Sequence, residues 1–355
     1  MRLINCYYNW VRISLKIFSG ENMPVKHCLV LVGVISSLVA NIYGQENSIP
    51  EKHLQIIRTI PNGIDTAIYF SWSRSLTIDQ NNNIYVADYR GHKIFKFNFN
   101  GKLLKKIGRH GQGPAEFFYI TSIDCRQEKL TVADKGNQRV QFLDQEGEYL
   151  DSFREMNIPS FLICFNDVVY GTIIKRTADY KNSFIAYNVD GRKLFEFGGL
   201  LPFGNNFLHL SCIDEYMGEI YTINRYFPFF SIYDKKGTLI LNTNFDQMDY
   251  KRRAKFNYDP RNHNIINSKY NVYDIFMGLD VNEHGIFIGS IEKPSKGNGV
   301  IIDHFSFDMA LLQRYKCQEI NRMTDMKILV SQTNKFCIIL GSNKEMEQKV
   351  FVTKL

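Results

Sequence analysis

Residues 108–117 read GRHGQGPAEF, and the glycines Gly108, Gly111 and Gly113 have the density of a loop that cradles phosphate. Such a loop must lie between a strand and a helix whose N-terminal amides face the anion. Here FYITSID follows, which alternates like a strand, and no Lys-Ser or Lys-Thr pair is present. The stretch therefore reads as a corner between two strands, with Phe117 dropping into the core behind it. Asp88 and Asp134 each end an apolar strand-like run ahead of a basic residue, His92 or Arg139. A carboxylate there can accept N–H groups of its own loop and pair with that base. Asp79, Asp124, Asp214 and Asp280 recur at a second strand-end position, and the recurrence points to scaffolding rather than acid–base work. His92, His110, His209, His263, His284 and His304 have no metal-site spacing, and no nucleophile elbow occurs. No catalytic residue, metal ligand or cofactor is expected from these patterns.

The elements that carry these residues repeat. KIFKFNFNGKLLKKI, RVQFLDQEGEYLDSF, SFIAYNVDGRKLFEF and FSIYDKKGTLILN each place a glycine between two strands, at Gly101, Gly147, Gly191 and Gly237. The spacing is 46, 44 and 46 residues, and a polar residue before each glycine suits a tight antiparallel hairpin. A second strand pair lies upstream of each, as in LTIDQNNNIYVAD and ITSIDCRQEKLTVAD. Four short strands in about 45 residues is the period of a β-propeller blade. Five units fall at 71–107, 120–153, 163–197, 209–243 and 277–316. A sixth, 327–355, supplies only three strands, and HLQIIRTI (53–60) is available to complete it. The fold expected is an all-β six-bladed propeller with four antiparallel strands per blade, its N-terminal strand closing the last blade.

IYVADYRGHKIFKF and LTVADKGNQRVQFL resemble NHL repeats, and GRHGQGPAEF is similar to the joint that links such units. The whole chain is similar to the exported six-bladed propeller proteins of Bacteroidetes. The specific motifs cover 76–153; the remaining blades match in rhythm. Blade 5 departs by carrying Asp308-Met309 where the turn glycine is expected.

The 355 residues carry a formal charge of +7. From Met23, a basic start at Lys26, an apolar run from Cys28 to Ala40 and a small Gly44 have the layout of a secretory signal, too short to span a membrane. Residues 1–22 then form an upstream extension, 23–44 the signal, and 45–355 the propeller. Removing residues 1–44 takes away Arg2, Arg12, Lys16 and Lys26 against Glu21 and leaves +4. The protein is expected to be exported, periplasmic or extracellular, with no membrane span after signal cleavage, and monomeric. Of seven cysteines, Cys125, Cys164, Cys212, Cys317 and Cys337 remain; an odd number without C-x-x-C spacing reads as buried thiols.

Propeller geometry puts the joints between blades on one face with the loops between second and third strands. That face should gather Tyr89, Arg90, His92, Arg109, His110, Arg176, Tyr180, Arg225 and Tyr226, and with them Lys135, Arg139 and Lys175. An insertion at 246–276, basic at Lys251, Arg252, Arg253 and Lys255 and expected to be helical, lies between blades 4 and 5. Rings can stack on sugars or apolar groups while guanidinium groups hold carboxylate or phosphate. The function expected is a non-catalytic binding or scaffold module for a partner protein or an anionic or carbohydrate ligand. Its alternative is a metal-assisted hydrolase or lyase in the central channel. Nucleic acid is not an expected partner at a charge this mild.

Overall fold

The computed structural model describes residues 50–61, 68–155, 159–173, 182–199, 210–244, 275–293, 298–331 and 334–355. The extension, the signal segment, Lys175, Arg176, Tyr180 and residues 246–274 of the insertion lie outside the described residues.

Six sheets form, each a meander of four antiparallel strands. Their inner strands are Ser73–Ile78, Ile120–Arg126, Leu162–Phe165, Ser211–Tyr216, Phe276–Asn282 and Arg322–Val330. These pack side by side around a circle, the sixth back against the first. Six apolar clusters lie one between each adjacent pair of sheets, so the core is divided among the blade interfaces. Opening the ring anywhere exposes a whole cluster.

The ring closes as the sequence predicts, with an addition. Gln55–Ile60 pairs antiparallel with Gln348–Lys354 and is the outer strand of blade 6. Just before it, Glu51–His53 runs parallel to Leu311–Cys317 and becomes a fifth strand of blade 5. Leu54, between the two, is buried among residues of both blades. The N-terminal segment thus latches two blades rather than one. Blade 6 also begins five residues earlier than expected, at Arg322, which brings Asp325 and Lys327 onto an inner strand.

Hairpin glycines hold the left-handed backbone of a tight turn, which glycine adopts without strain: Gly101 has φ +84°. In blades 5 and 6, Met309 and Met346 hold the same left-handed position at +68° and +64°. Three residues past each of the four turn glycines and Met309, the outer strand bulges by one residue, at Leu104, Leu150, Leu194, Ile240 and Leu312; Ile57 is the bulge in blade 6. A bulge residue opposes no partner and turns outward, which is why all six are exposed aliphatics. They stand one per blade and form no shared patch.

Inner strands are sheet edges, so their channel-side N–H groups need partners. Side chains of the preceding blade supply them. Ser75 Oγ accepts from Ile123 N at 3.1 Å and Thr77 Oγ1 from Cys125 N at 3.0 Å. Ser122 and Asp124 accept from Leu162 N and Cys164 N, Asp214 from Val281 N, and Asp325 from Leu76 N. The scaffold expected of Asp124 and Asp214 is therefore an edge-sealing one.

Candidate functional site on the loop face

The GRHGQGPAEF segment is the corner. Phe117 is fully buried between blades 1 and 2. Gly108, at φ +77°, has no room for a side chain, since a Cβ would fall 2.2 Å from the Phe117 ring. Glu116 accepts from Gly113 N at 2.9 Å and from Arg109 Nε at 2.8 Å, and these bonds hold its carboxyl below the usual range. Arg139 reaches over from blade 2 and donates to the carbonyls of Gln112, Gly113 and Glu116.

Asp88 and Asp134 organise the face around this corner. Both are buried. Asp88 accepts from Ser71 N and Trp72 N at 2.9 Å each, and from Gly91 N at 3.1 Å. Asp134 accepts from Phe118 N at 2.7 Å and pairs with Arg139 Nε at 2.9 Å. Each carboxylate therefore ties the joint leading into its blade to the loop between that blade's second and third strands. Asp134 takes the expected base, while His92 goes elsewhere: its Nδ1 accepts the Tyr119 N–H at 3.2 Å. The neutral ring then carries its proton on Nε2, as a donor. Burial and the neighbouring His110 push the His92 pKa below its ordinary value and keep it neutral.

The result is an unbroken file of rings. Trp72 lies 6.3 Å from Tyr89, Tyr89 stacks on Tyr119 at 4.8 Å, and Tyr119 meets Phe118 at 4.2 Å. Phe118 is 5.2 Å from His110, whose ring is 4.8 Å from that of His92. Arg90 lies over Trp72 at 4.4 Å and Arg74 over Tyr89 at 5.4 Å. Trp72 and the neighbouring Tyr69 are 43% and 75% exposed, so ring surface is open to solvent.

Of the residues expected here, Tyr89, Arg90, His92, Arg109 and His110 come together over blades 1 and 2. Arg225 does not join them. It is buried, with its guanidinium over Phe161 and one nitrogen 2.9 Å from Met277 Sδ, and its carbonyl accepts from Ile275 N and Phe276 N. It joins blades 3, 4 and 5. Tyr226 follows it, half-buried, its N–H bonded to Asn224. Trp72, Tyr119 and Phe118 escaped the sequence reading; each flanks a strand start, and exposed aromatic character in a joint was the signal available.

The opposite mouth of the channel, at the turns between first and second strands, holds a different chemistry. A cavity of about 310 Å3 is lined by residues of blades 1, 2, 4, 5 and 6. Arg126 of blade 2 pairs with Asp124, with Asp214 and, at 2.9 Å, with Glu215. Lys327 of blade 6 lies 3.1 Å from Asp214 and 3.0 Å from Asp280. Asp124, Asp214 and Asp280, expected as separate scaffold positions, thus converge on one mouth of the channel. They come from separate blades, which no local spacing can reveal. Burial raises Asp280, while for Asp214 burial is outweighed by Lys327 and Arg126, which hold it low. Asp79 lines the same cavity but is held locally, accepting from Asn81 N, Asn83 N and Tyr85 Oη around its own turn. No group of three or more His, Cys, Asp or Glu suited to a metal occurs among the described residues. All five described cysteines are buried thiols outside any disulfide. No helix among the described residues is long and apolar enough to cross a membrane.

A family model described as a 6-bladed beta-propeller matches residues 74–287. No curated protein matches the sequence. Among solved structures, a candidate exported protein of Bacteroides fragilis superposes with a TM-score of 0.56 at 10% identity, over 86% of this chain and 98% of its own. A DUF4221 protein of Bacteroides vulgatus gives 0.54 at 13%, over 85% and 97%. A gluconolactonase of Xanthomonas campestris gives 0.50 at 12%, over 86% and 95%. At such identities the likeness is one of fold alone.

Proposed function

The chain belongs to the DUF5128 family of six-bladed β-propellers, and from that premise we propose that it is an exported, non-catalytic binding module. Its loop face over blades 1 and 2 captures a ligand or partner by stacking. The observation that carries this reading is the file of rings from Trp72 to His110, held at an open face by two buried aspartates. Aromatic surface kept at the rim of a protein, rather than in its core, favours association. Rigid placement adds to it, because little freedom is lost on binding. Export is supported by the signal-like segment from Met23 and by the likeness to a candidate exported protein.

The channel hydrolase is the weaker reading. Its carboxylates are engaged by Arg126, Lys327 and neighbouring backbone N–H groups, so a metal would have to displace two held cations. Ligand-observed saturation-transfer NMR with a mixed library of sugars, nucleosides and short aromatic peptides distinguishes the two. Compounds that bind should be lost with Trp72→Ala and kept with Lys327→Gln. The reverse pattern would overturn the placement.

A further inference from the structure

Resting on that placement, we infer that the loop face takes a neutral saccharide chain. Among the described cations expected to hold an anion there, Arg90, Arg109, Arg139 and Arg225 are already engaged. Arg109 pairs with Glu116 at 2.8 Å, Arg139 with Asp134 at 2.9 Å, and Arg225 is buried between blades. Arg90 lies over Trp72 and Arg74 over Tyr89, so each guanidinium is drawn to the π-system of its own ring. A site for carboxylate or phosphate presents guanidinium forks to the anion, whereas Arg109 and Arg139 spend theirs on Glu116, Asp134 and the carbonyls of the joint.

What the face does present is ring surface, open to solvent at Trp72 and Tyr69, beside neutral hydrogen-bonding groups. A pyranose has the matching character: C–H groups across its faces and hydroxyls around its edge. The rings of Trp72, Tyr89, Tyr119, Phe118 and His110 follow one another at steps of 4.2–6.3 Å. Steps of that size follow a chain of sugar units better than a single one. His92, kept neutral and with its proton on Nε2, supplies a donor for a hydroxyl oxygen without bringing a charge.

The platform is also held in place before any ligand arrives. His92, Ala115 and Tyr119 have φ of +53°, +53° and +59°, a left-handed backbone that residues of this kind adopt only when surroundings impose it. Three such residues within one patch, two of them bonded through Tyr119 N and His92 Nδ1 and the third donating to Gln141, are the mark of a preformed surface. Weak stacking contacts gain affinity from such rigidity.

The chain has two tryptophans, Trp10 and Trp72. In the full chain carrying Trp10→Phe, emission therefore reports on the platform alone. It is titrated with neutral hexasaccharides of glucose, xylose, mannose and galactose, and with hexagalacturonate as the charged counterpart. At least one neutral chain should change Trp72 emission saturably, with an affinity that hardly varies with salt and falls about five- to tenfold in Tyr89→Ala. Response to hexagalacturonate alone, weakening steeply with salt, would overturn the inference in favour of an anion site. Silence with every saccharide would also overturn it. If the mixed library still binds through Trp72, only the ligand class falls; if the library avoids this face too, the proposed function falls with it.

Discussion

Replacing Lys327 by methionine removes the cation shared by Asp214 and Asp280, 3.1 and 3.0 Å away, while retaining much of the side-chain volume. Both carboxylates are buried. Asp214 keeps Arg126 and two backbone N–H groups, but Asp280 is left with the Asn282 amide as a donor. Breaking a buried pair from one side costs about 3–5 kcal/mol. For a ring of this size that corresponds to a fall in melting temperature of about 6–10 °C. The loss should depend on pH in a definite sense. Burial already raises Asp280 with Lys327 present, and it must rise further without it. The folded variant then holds this proton more tightly than the unfolded chain, so acidification favours folding. The deficit against the native chain should shrink by up to ~1.4 kcal/mol for each pH unit below the variant's Asp280 pKa. Thermal and urea unfolding at neutral and mildly acidic pH read this directly. Lys193→Met, which removes an exposed pair with Glu196, is the control and should cost less than about 1 kcal/mol. A Lys327→Met deficit as small as the control's, or one that does not change with pH, would refute a charge lattice across the channel.

Three further outcomes follow from the same structure. Burial pushes the Asp325 carboxyl up to about 6, so the stability it contributes is present at acid pH and lost as pH rises through about 6. A carboxyl NMR titration with its midpoint in the ordinary aspartate range would contradict the channel-side placement. Asp88→Ala leaves the N–H groups of Ser71, Trp72 and Gly91 without their acceptor. It should cost roughly 2–3 kcal/mol and lower the anisotropy of Trp72 emission; unchanged anisotropy would mean that Asp88 does not hold the platform. Deleting residues 51–60 removes the outer strand of blade 6 and the fifth strand of blade 5 together. Cooperative melting should be lost, and Leu54→Ala alone should cost about 2–4 kcal/mol; a deletion that melts at the native temperature would mean the ring is not latched there.

The blade count was legible because a hairpin that needs a left-handed residue selects glycine, and Gly101, Gly147, Gly191 and Gly237 keep the period. Blades 5 and 6 hide the same geometry behind Met309 and Met346, which adopt it without advertising it. The joint at 108–117 was readable for a related reason: Gly108 must admit Phe117, and both lie within one short segment. Half of the loop-face platform could be named for the same locality, since Tyr89, Arg90 and His92 share one loop, and Arg109 and His110 one joint. Contacts across the ring were not readable. Arg126 reaches Glu215 past the whole of blade 3, and Lys327 meets Asp214 past blade 5. Those pairs are set by curvature, which leaves no spacing in the chain. Arg225 misled for the opposite reason: its place after a strand end suggested the rim, but the cleft between Phe161 and Met277 takes it inward.

The central claim is that the loop face over blades 1 and 2, and not the charged mouth of the channel, is where this protein meets its ligand. Crystals soaked with a library of ring-containing fragments test it most directly. Fragment density should gather against Trp72, Tyr89 and His110. Density confined to the cavity beside Arg126 and Lys327, with the ring platform bare, would contradict the account.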